Sequence, residues 1–276
     1  MNKIAIFGAN GSLAKSLAFY LKKKNYKIIG FSSKKFLPIK NCYDEVNYFN
    51  LNQKNFNYKN FKKFKTAVIF SHSFQNLNLN IKGLNKLKIE LNKFNIRQIY
   101  ISSHSARIDS YSDYGRSKFL IEQSFLSDNH EIIRPGLVIM NGGLFKKYFI
   151  KIKRIPIIVF PKTKNLKSFY IFESDFNKAL NVILKKKLDN VYNLFNEIEL
   201  IKFIKVIQKF NKTKMKMFQI NFNILFCFPF LKNLSLYNSL KNLELSSFKQ
   251  IHKMNNFEKK LVKQKFNIKN LKRIFD

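Results

Sequence analysis

The chain has 276 residues and a formal net charge of +36, long enough to bury a large core as one domain, or as one domain with an appended lobe. Such a charge invites a polyanion partner, but 46 of the 52 basic residues are Lys and 34 residues are Asn, a bias of A+T-rich codons that needs no ligand to explain it. Two distant cysteines, Cys42 and Cys227, exclude a disulfide framework, and His72, His104, His130 and His252 have no ligand spacing, so no metal site is expected.

Met1-Asn2-Lys3 leads straight into an apolar run with no signal peptide, and the most apolar stretch, Ile220–Leu231, is too short and too interrupted to span a bilayer. A soluble, cytoplasmic protein is expected. Lys3–Phe7 reads as a strand that ends on Gly8. Gly8-Ala9-Asn10-Gly11-Ser12-Leu13-Ala14 then opens a helical pattern through Leu17, Ala18 and Leu21, and Tyr26–Phe31 is a second strand. Strand, glycine turn, helix and strand within about thirty residues is the dinucleotide-binding unit. Gly8 makes the turn, Gly11 lets a pyrophosphate approach the helix N-terminus, and Ala14 permits close packing of helix on strand. Only 8 glycines occur in the chain, so each one kept marks a place where a side chain is not tolerated.

The second strand runs into Phe31-Ser32-Ser33-Lys34-Lys35, without the acid that would hold the 2′-hydroxyl of NAD. Ser32 and Lys34 therefore favour a phosphorylated ribose, that is NADP, with NAD as the alternative. Thr66–Phe70 is the next strand, and Gln98–Ile101 another. Between residues 101 and 150 the 6 basic residues nearly balance 5 acidic ones, so this stretch escapes the bias around it. It holds Ser103 at a strand mouth and a helix, capped by Ser112 or Asp113, on which Tyr114 and Lys118 stand four apart on one face. An ammonium beside a phenol lowers its pKa toward a useful range, and Ser103 could hold a substrate oxygen against it. That combination is a proton-transfer site for an alcohol or ketone. Farther on, Phe169–Phe172 reads as a strand, Asp175 as the cap of a helix from Phe176 to Lys187, and the patterns at Leu200–Ile207, Leu234–Leu243 and Phe257–Phe266 as amphipathic helices.

Gly8-x-x-Gly11-x-x-Ala14, joined to Ser103, Tyr114 and Lys118, resembles the short-chain dehydrogenase/reductase superfamily, and more closely its extended or atypical branch, the NAD(P)-dependent epimerase/dehydratase family. Asn50-Leu51, Ser71-His72-Ser73, Asn80-Ile81-Lys82-Gly83, Ile101-Ser102-Ser103, Arg134-Pro135-Gly136, Phe172–Asp175 and Val191–Leu194 resemble further motifs of that family in order. The resemblance implies an α/β fold, a doubly wound parallel sheet ordered three-two-one-four-five-six with a seventh strand, and a small C-terminal substrate lobe. The dinucleotide-binding domain would span 1–139, with 168–195 returning to it, and the lobe 140–167 and 196–276. It implies a cofactor held by Gly8, Asn10, Gly11, Ser12, Leu13, Ser32, Lys34, Asn50, Leu51, Ser71, Asn80, Tyr114, Lys118 and Pro135, with Arg134-Pro135-Gly136 at the nicotinamide end. The implied activity is that of an NAD(P)-dependent oxidoreductase or epimerase, dehydratases included, working on a carbinol or ketone of a small molecule such as a sugar or nucleotide sugar. Ser103, Tyr114 and Lys118 would be its catalytic residues, and a homodimer is compatible with it. Ser103 and Tyr114 are only 11 apart, shorter than is usual for the family's nucleotide-sugar enzymes, and His104 reads as a loop residue without partners, with a substrate contact as the alternative. Two rivals are a non-catalytic NADP-binding subunit, disfavoured by the intact Ser-Tyr-Lys set, and a nucleic-acid binder, disfavoured by evenly spread Lys and scarce Arg; no membrane partner is expected.

Overall fold

The apolar run at the N-terminus becomes β1 (Lys3–Phe7), buried at four of its five positions, and everything else is laid out from it. The computed structural model describes residues 3–33, 42–52, 58–73, 77–110, 112–154, 157–161, 166–213, 216–220 and 252–275. Lys34, Cys227 and the expected helix at Leu234–Leu243 lie outside them. After β1 come α1 (Ser12–Lys22), β2 (Lys27–Ser32), β3 (Glu45–Tyr48), α2 (Tyr58–Phe61), β4 (Thr66–Ile69), α3 (Leu77–Asn92), β5 (Arg97–Ile101), α4 (Asp113–Ser127) and β6 (Glu131–Pro135). The second half continues with β7 (Leu137–Ile139), α5 (Gly143–Arg154), β8 (Ile157–Pro161), β9 (Lys167–Phe172), α6 (Glu173–Lys185), β10 (Val191–Leu194), β11 (Asn196–Glu199), α7 (Leu200–Asn211) and β12 (Lys216–Ile220), then α8 (Asn256–Leu261) and α9 (Ile268–Phe275).

Seven strands form one sheet in the order β10-β6-β5-β4-β1-β2-β3, every pair parallel. The expected three-two-one-four-five-six order with a seventh strand is therefore found. A sheet covered on both faces needs apolar residues at consecutive positions rather than alternating ones. In β1, Ile4 and Ile6 face α1 and α6, where Leu17, Leu21, Phe176 and Leu180 are fully buried. Ala5 and Phe7 face the other way, toward Leu84, Leu87 and Phe125 of α3 and α4. Each such side chain contributes about 1.5–3 kcal/mol by leaving water. Strand order reverses between β1 and β4, and there a cleft opens at the C-terminal strand ends.

A second, smaller layer closes this cleft. β9 pairs with β7 in parallel and with β11 antiparallel, and β12 pairs with β8 in parallel. Phe145, Phe149, Phe172, Phe203 and Phe266 build its core. The C-terminal segment then returns across it. Asp175 does not cap a helix, contrary to the sequence pattern. The helix α6 starts earlier, with Phe172 at its N-cap, and the Asp175 carboxylate accepts hydrogen bonds from the N–H groups of Lys263 and Gln264, both at 2.8 Å. The signal was an acid before an apolar run, and its partner lies almost ninety residues away, where no local pattern can show it. Among the described residues no helix is long and apolar enough to cross a membrane.

Candidate active site

The cleft is a cavity of about 1290 Å3 with two chemically different ends. At one end β1 turns through Gly8 into α1. Gly8 and Ala9 donate to the Phe31 carbonyl at 2.9 and 3.0 Å, and Gly11 donates to Gly8 at 3.0 Å, which fixes the turn. Gly8 sits at φ +81, and a Cβ there would meet the Ser71 nitrogen at 2.7 Å, so only glycine fits. Gly11 is the N-cap of α1 and supplies no side-chain cap, which leaves the first-turn N–H groups facing the cavity wall made by Gly11, Ser12, Leu13 and Ala14. Such a terminus attracts an anion. Asn10, Ser32, Ser33, Asn50, Leu51 and Ser71 line the same end.

At the other end Ser103 leaves β5 and meets α4. Ser112 is the N-cap of α4, its Oγ accepting from the Gly115 N–H at 3.0 Å. The helix can approach the Ser103 loop because Gly115 has no side chain: a Cβ there would stand 2.1 Å from Ser110 Oγ and 2.5 Å from the Ser105 carbonyl. Ser103 Oγ lies 2.9 Å from Ser105 Oγ and accepts from the Ser105 N–H at 3.2 Å, and the hydroxyl stands beside the Tyr114 phenol, whose pKa it pulls down. The two hydroxyls thus converge inside the cavity. Lys118, one turn along, is buried, donates to the Ile101 carbonyl at 2.9 Å, and stands 4.6 Å from the centre of the Tyr100 ring.

Burial dominates the electrostatics here. It pushes the Tyr114 phenol up to about 12, with the Ser103 hydroxyl pulling the other way. It brings the Lys118 ammonium down to about 7, against the opposing charge of Glu122. The Tyr-Lys spacing predicts a lowered phenol; in the structure desolvation of both groups outweighs their proximity. His72, edge-on to the Tyr114 ring at 4.9 Å, is held down to about 3 by burial and by Lys118, so it is neutral.

No family profile and no curated protein matches the sequence. Solved structures do match. The crystal structure of gox2253 aligns with a TM-score of 0.76 at 14% identity, over 95% of this chain and 92% of that one. The NAD-dependent NDP-hexosamine 5,6-dehydratase TunA aligns at 0.66 and 12% identity, over 80% and 85% of the two chains. WbmG of Bordetella bronchiseptica, solved with NAD and UDP, aligns at 0.63 and 14%, over 79% and 81%. The chain has the fold of the epimerase/dehydratase enzymes. The resemblance carried by the glycine turn and the Ser-Tyr-Lys set thus agrees with the architecture.

Of the residues that the motifs single out, Gly8, Asn10, Gly11, Ser12, Leu13, Ser32, Asn50, Leu51, Ser71, Ser103, Tyr114, Lys118 and Pro135 all line this one cavity. Asn80 does not. Its side-chain amide accepts from the Ser73 N–H at 2.6 Å and donates to the Ser73 carbonyl at 2.7 Å, so it holds the cavity loop instead of facing into it. Arg134 also turns away: it binds the fully buried Glu122 carboxylate, with its Nη2 at 2.6 Å, while Pro135 and Gly136 line the cavity. His104 is not a plain loop residue. It is buried, stacked on Phe169 with ring centres 4.0 Å apart, and lines the cavity beside Ser103. The sequence reading had His72 only as part of a motif, without its contact to Tyr114, and missed the Glu122–Arg134 pair. Glu122 was within reach, standing four residues past Lys118 on the same helical face.

Proposed function

We propose that this protein is an NAD(P)-dependent oxidoreductase or epimerase acting on a carbinol or ketone of a sugar or nucleotide sugar, with Ser103, Tyr114 and Lys118 as its catalytic residues. The observation that carries this is that Ser103, Tyr114 and Lys118 line the same cavity whose far end is the Gly8–Leu13 turn. The turn fits a dinucleotide: the space beside Gly8 excludes even a methyl group, and the uncapped α1 N-terminus offers N–H groups to a pyrophosphate. When bound, a nicotinamide ring supplies the hydride acceptor or donor. Ser103 orients the substrate oxygen, and Tyr114 gives or takes the proton on that oxygen. Lys118 sets the charge beside the phenol and holds the nicotinamide ribose. With its phenol pushed up to about 12 by burial, Tyr114 carries its proton at neutral pH, as the reduction direction requires, though as a weaker acid than a free phenol. In the oxidation direction it would need charge from its surroundings to lose the proton.

Dehydration fits less well than oxidation or epimerisation. Expelling water needs an acid for the departing hydroxyl as well as a base for the carbon-bound proton. Among the described residues no Asp or Glu lines the cavity, and the acids outside them are Glu244 and Asp276. On the ribose side, Ser32 and Ser33 line the wall where an acid would select NAD, which supports NADP. The test is native mass spectrometry of the purified protein followed by turnover of nucleotide sugars and their keto forms, read by nicotinamide absorbance. Bound NADP(H), with reduction or epimerisation and no loss of water, is the expected result. Failure to bind either dinucleotide would overturn the proposal.

A further inference from the structure

His252 opens the C-terminal segment, on which the motifs lay no chemistry, yet it reaches the loop that carries Ser103. Its Nε2 lies 3.2 Å from the Ala106 carbonyl and its Nδ1 3.2 Å from Arg134 Nη1. A guanidinium can only donate, so Nδ1 accepts and the ring proton sits on Nε2, where it is donated to Ala106. Burial and the Arg134 charge bring the imidazole down to about 4, consistent with this neutral form. Arg134 is fixed in turn by Glu122, with Nε at 3.0 and 3.1 Å from the two carboxylate oxygens.

The Ser103 loop is shaped by its own main chain. The His104 N–H donates to the Pro135 carbonyl at 2.9 Å, and the Ala106 N–H donates back to the Ser103 carbonyl at 3.0 Å, closing a short turn. The outer end of that turn is the Ala106 carbonyl, and the group bound to it is His252. We propose that His252 is a positioning residue for Ser103: through the Ala106 carbonyl it holds the Ser103–Ala106 turn so that the serine hydroxyl meets Tyr114. The C-terminal segment thereby completes the site without entering the cavity. The role assigned to Ser103 rests on the function proposed above; the anchoring of the turn does not.

Two variants separate the two contacts of the ring. In His252→Gln the amide nitrogen takes the place of Nε2 and keeps the bond to Ala106. In His252→Asn the amide oxygen takes the place of Nδ1 and keeps only the bond to Arg134. The expected result is that His252→Asn lowers kcat by about 10-fold with KM and dinucleotide affinity almost unchanged, while His252→Gln stays within about 3-fold of the parent. Hydrogen exchange of the amides from 103 to 107 should quicken in His252→Asn and not in His252→Gln. Nitrogen NMR of the parent should show the proton on Nε2. Equal exchange in the two variants, or a proton on Nδ1, would overturn the proposal. If the parent turns over no substrate but exchange still separates the variants, the anchoring stands and the oxidoreductase function falls.

Discussion

At the proposed phosphate end of the cleft the groups on offer are main-chain N–H groups from one continuous stretch, Gly8 to Leu13, shaped by local turn geometry. At the proposed catalytic end they are side chains brought together from the loop after β5, from α4 and from the loop after β4, and backed by Arg134 of β6 and His252. The first arrangement tolerates most side-chain changes and forbids a Cβ at one point. The second depends on burial and on charges whose partners are far apart in sequence. It should therefore fail in graded ways, and the first abruptly.

Gly8→Val should give the largest effect on dinucleotide binding. The strained φ costs about 1–3 kcal/mol and the Cβ would press on the Ser71 backbone. Dinucleotide affinity measured by calorimetry should fall by about 100-fold or more. Binding like the parent's would mean that the phosphate end is not built from the backbone. At the other end Glu122→Ala should destabilise the fold by about 3–5 kcal/mol in urea unfolding, because it removes a fully buried carboxylate and leaves the largely covered Arg134 without its partner. Adding Arg134→Met should restore much of that loss. Asn80→Ala should cost about 1–3 kcal/mol, since it removes both bonds to the Ser73 main chain. A change in dinucleotide affinity larger than the change in stability would place Asn80 in the cavity after all.

A further effect is one of pH. Lys118 is held at about 7 in the fold against an ordinary 10.5, so between those values the unfolded chain binds a proton that the folded one does not. Its contribution makes stability rise as pH climbs from about 7 toward 10, and Lys118→Met should flatten that rise. Above pH 10 the sign reverses for Tyr114, which keeps its proton in the fold up to about 12 while the unfolded phenol loses it. Thermal unfolding across this range reads both slopes. An unchanged slope in Lys118→Met would mean that the ammonium is solvated.

How much of this was legible in the sequence follows the same division. β1, β2, β4 and β5 could be read because a parallel sheet covered on both faces writes unbroken apolar runs. The Gly8–Ala14 turn could be read because its work is done by neighbours in the chain. Tyr114 and Lys118 were legible as a pair from helical spacing, but the direction of the phenol's pKa was not, because spacing carries no information about burial. Arg134 stood in a motif whose visible neighbour, Pro135, faces the cavity, while its own partner Glu122 lies 12 residues back. Asp175 and His252 act on backbone groups 88 and 146 positions away, and no periodicity encodes such a contact.

The central claim is that Tyr114 moves the proton on the substrate oxygen, and Tyr114→Phe tests it most directly. Removing only the phenol hydroxyl should lower kcat by about 1000-fold or more, because that hydroxyl acts in the transition state, while dinucleotide affinity stays within a small factor of the parent's. Normal turnover by the Tyr114→Phe protein would contradict the account and leave a dinucleotide-binding subunit in its place.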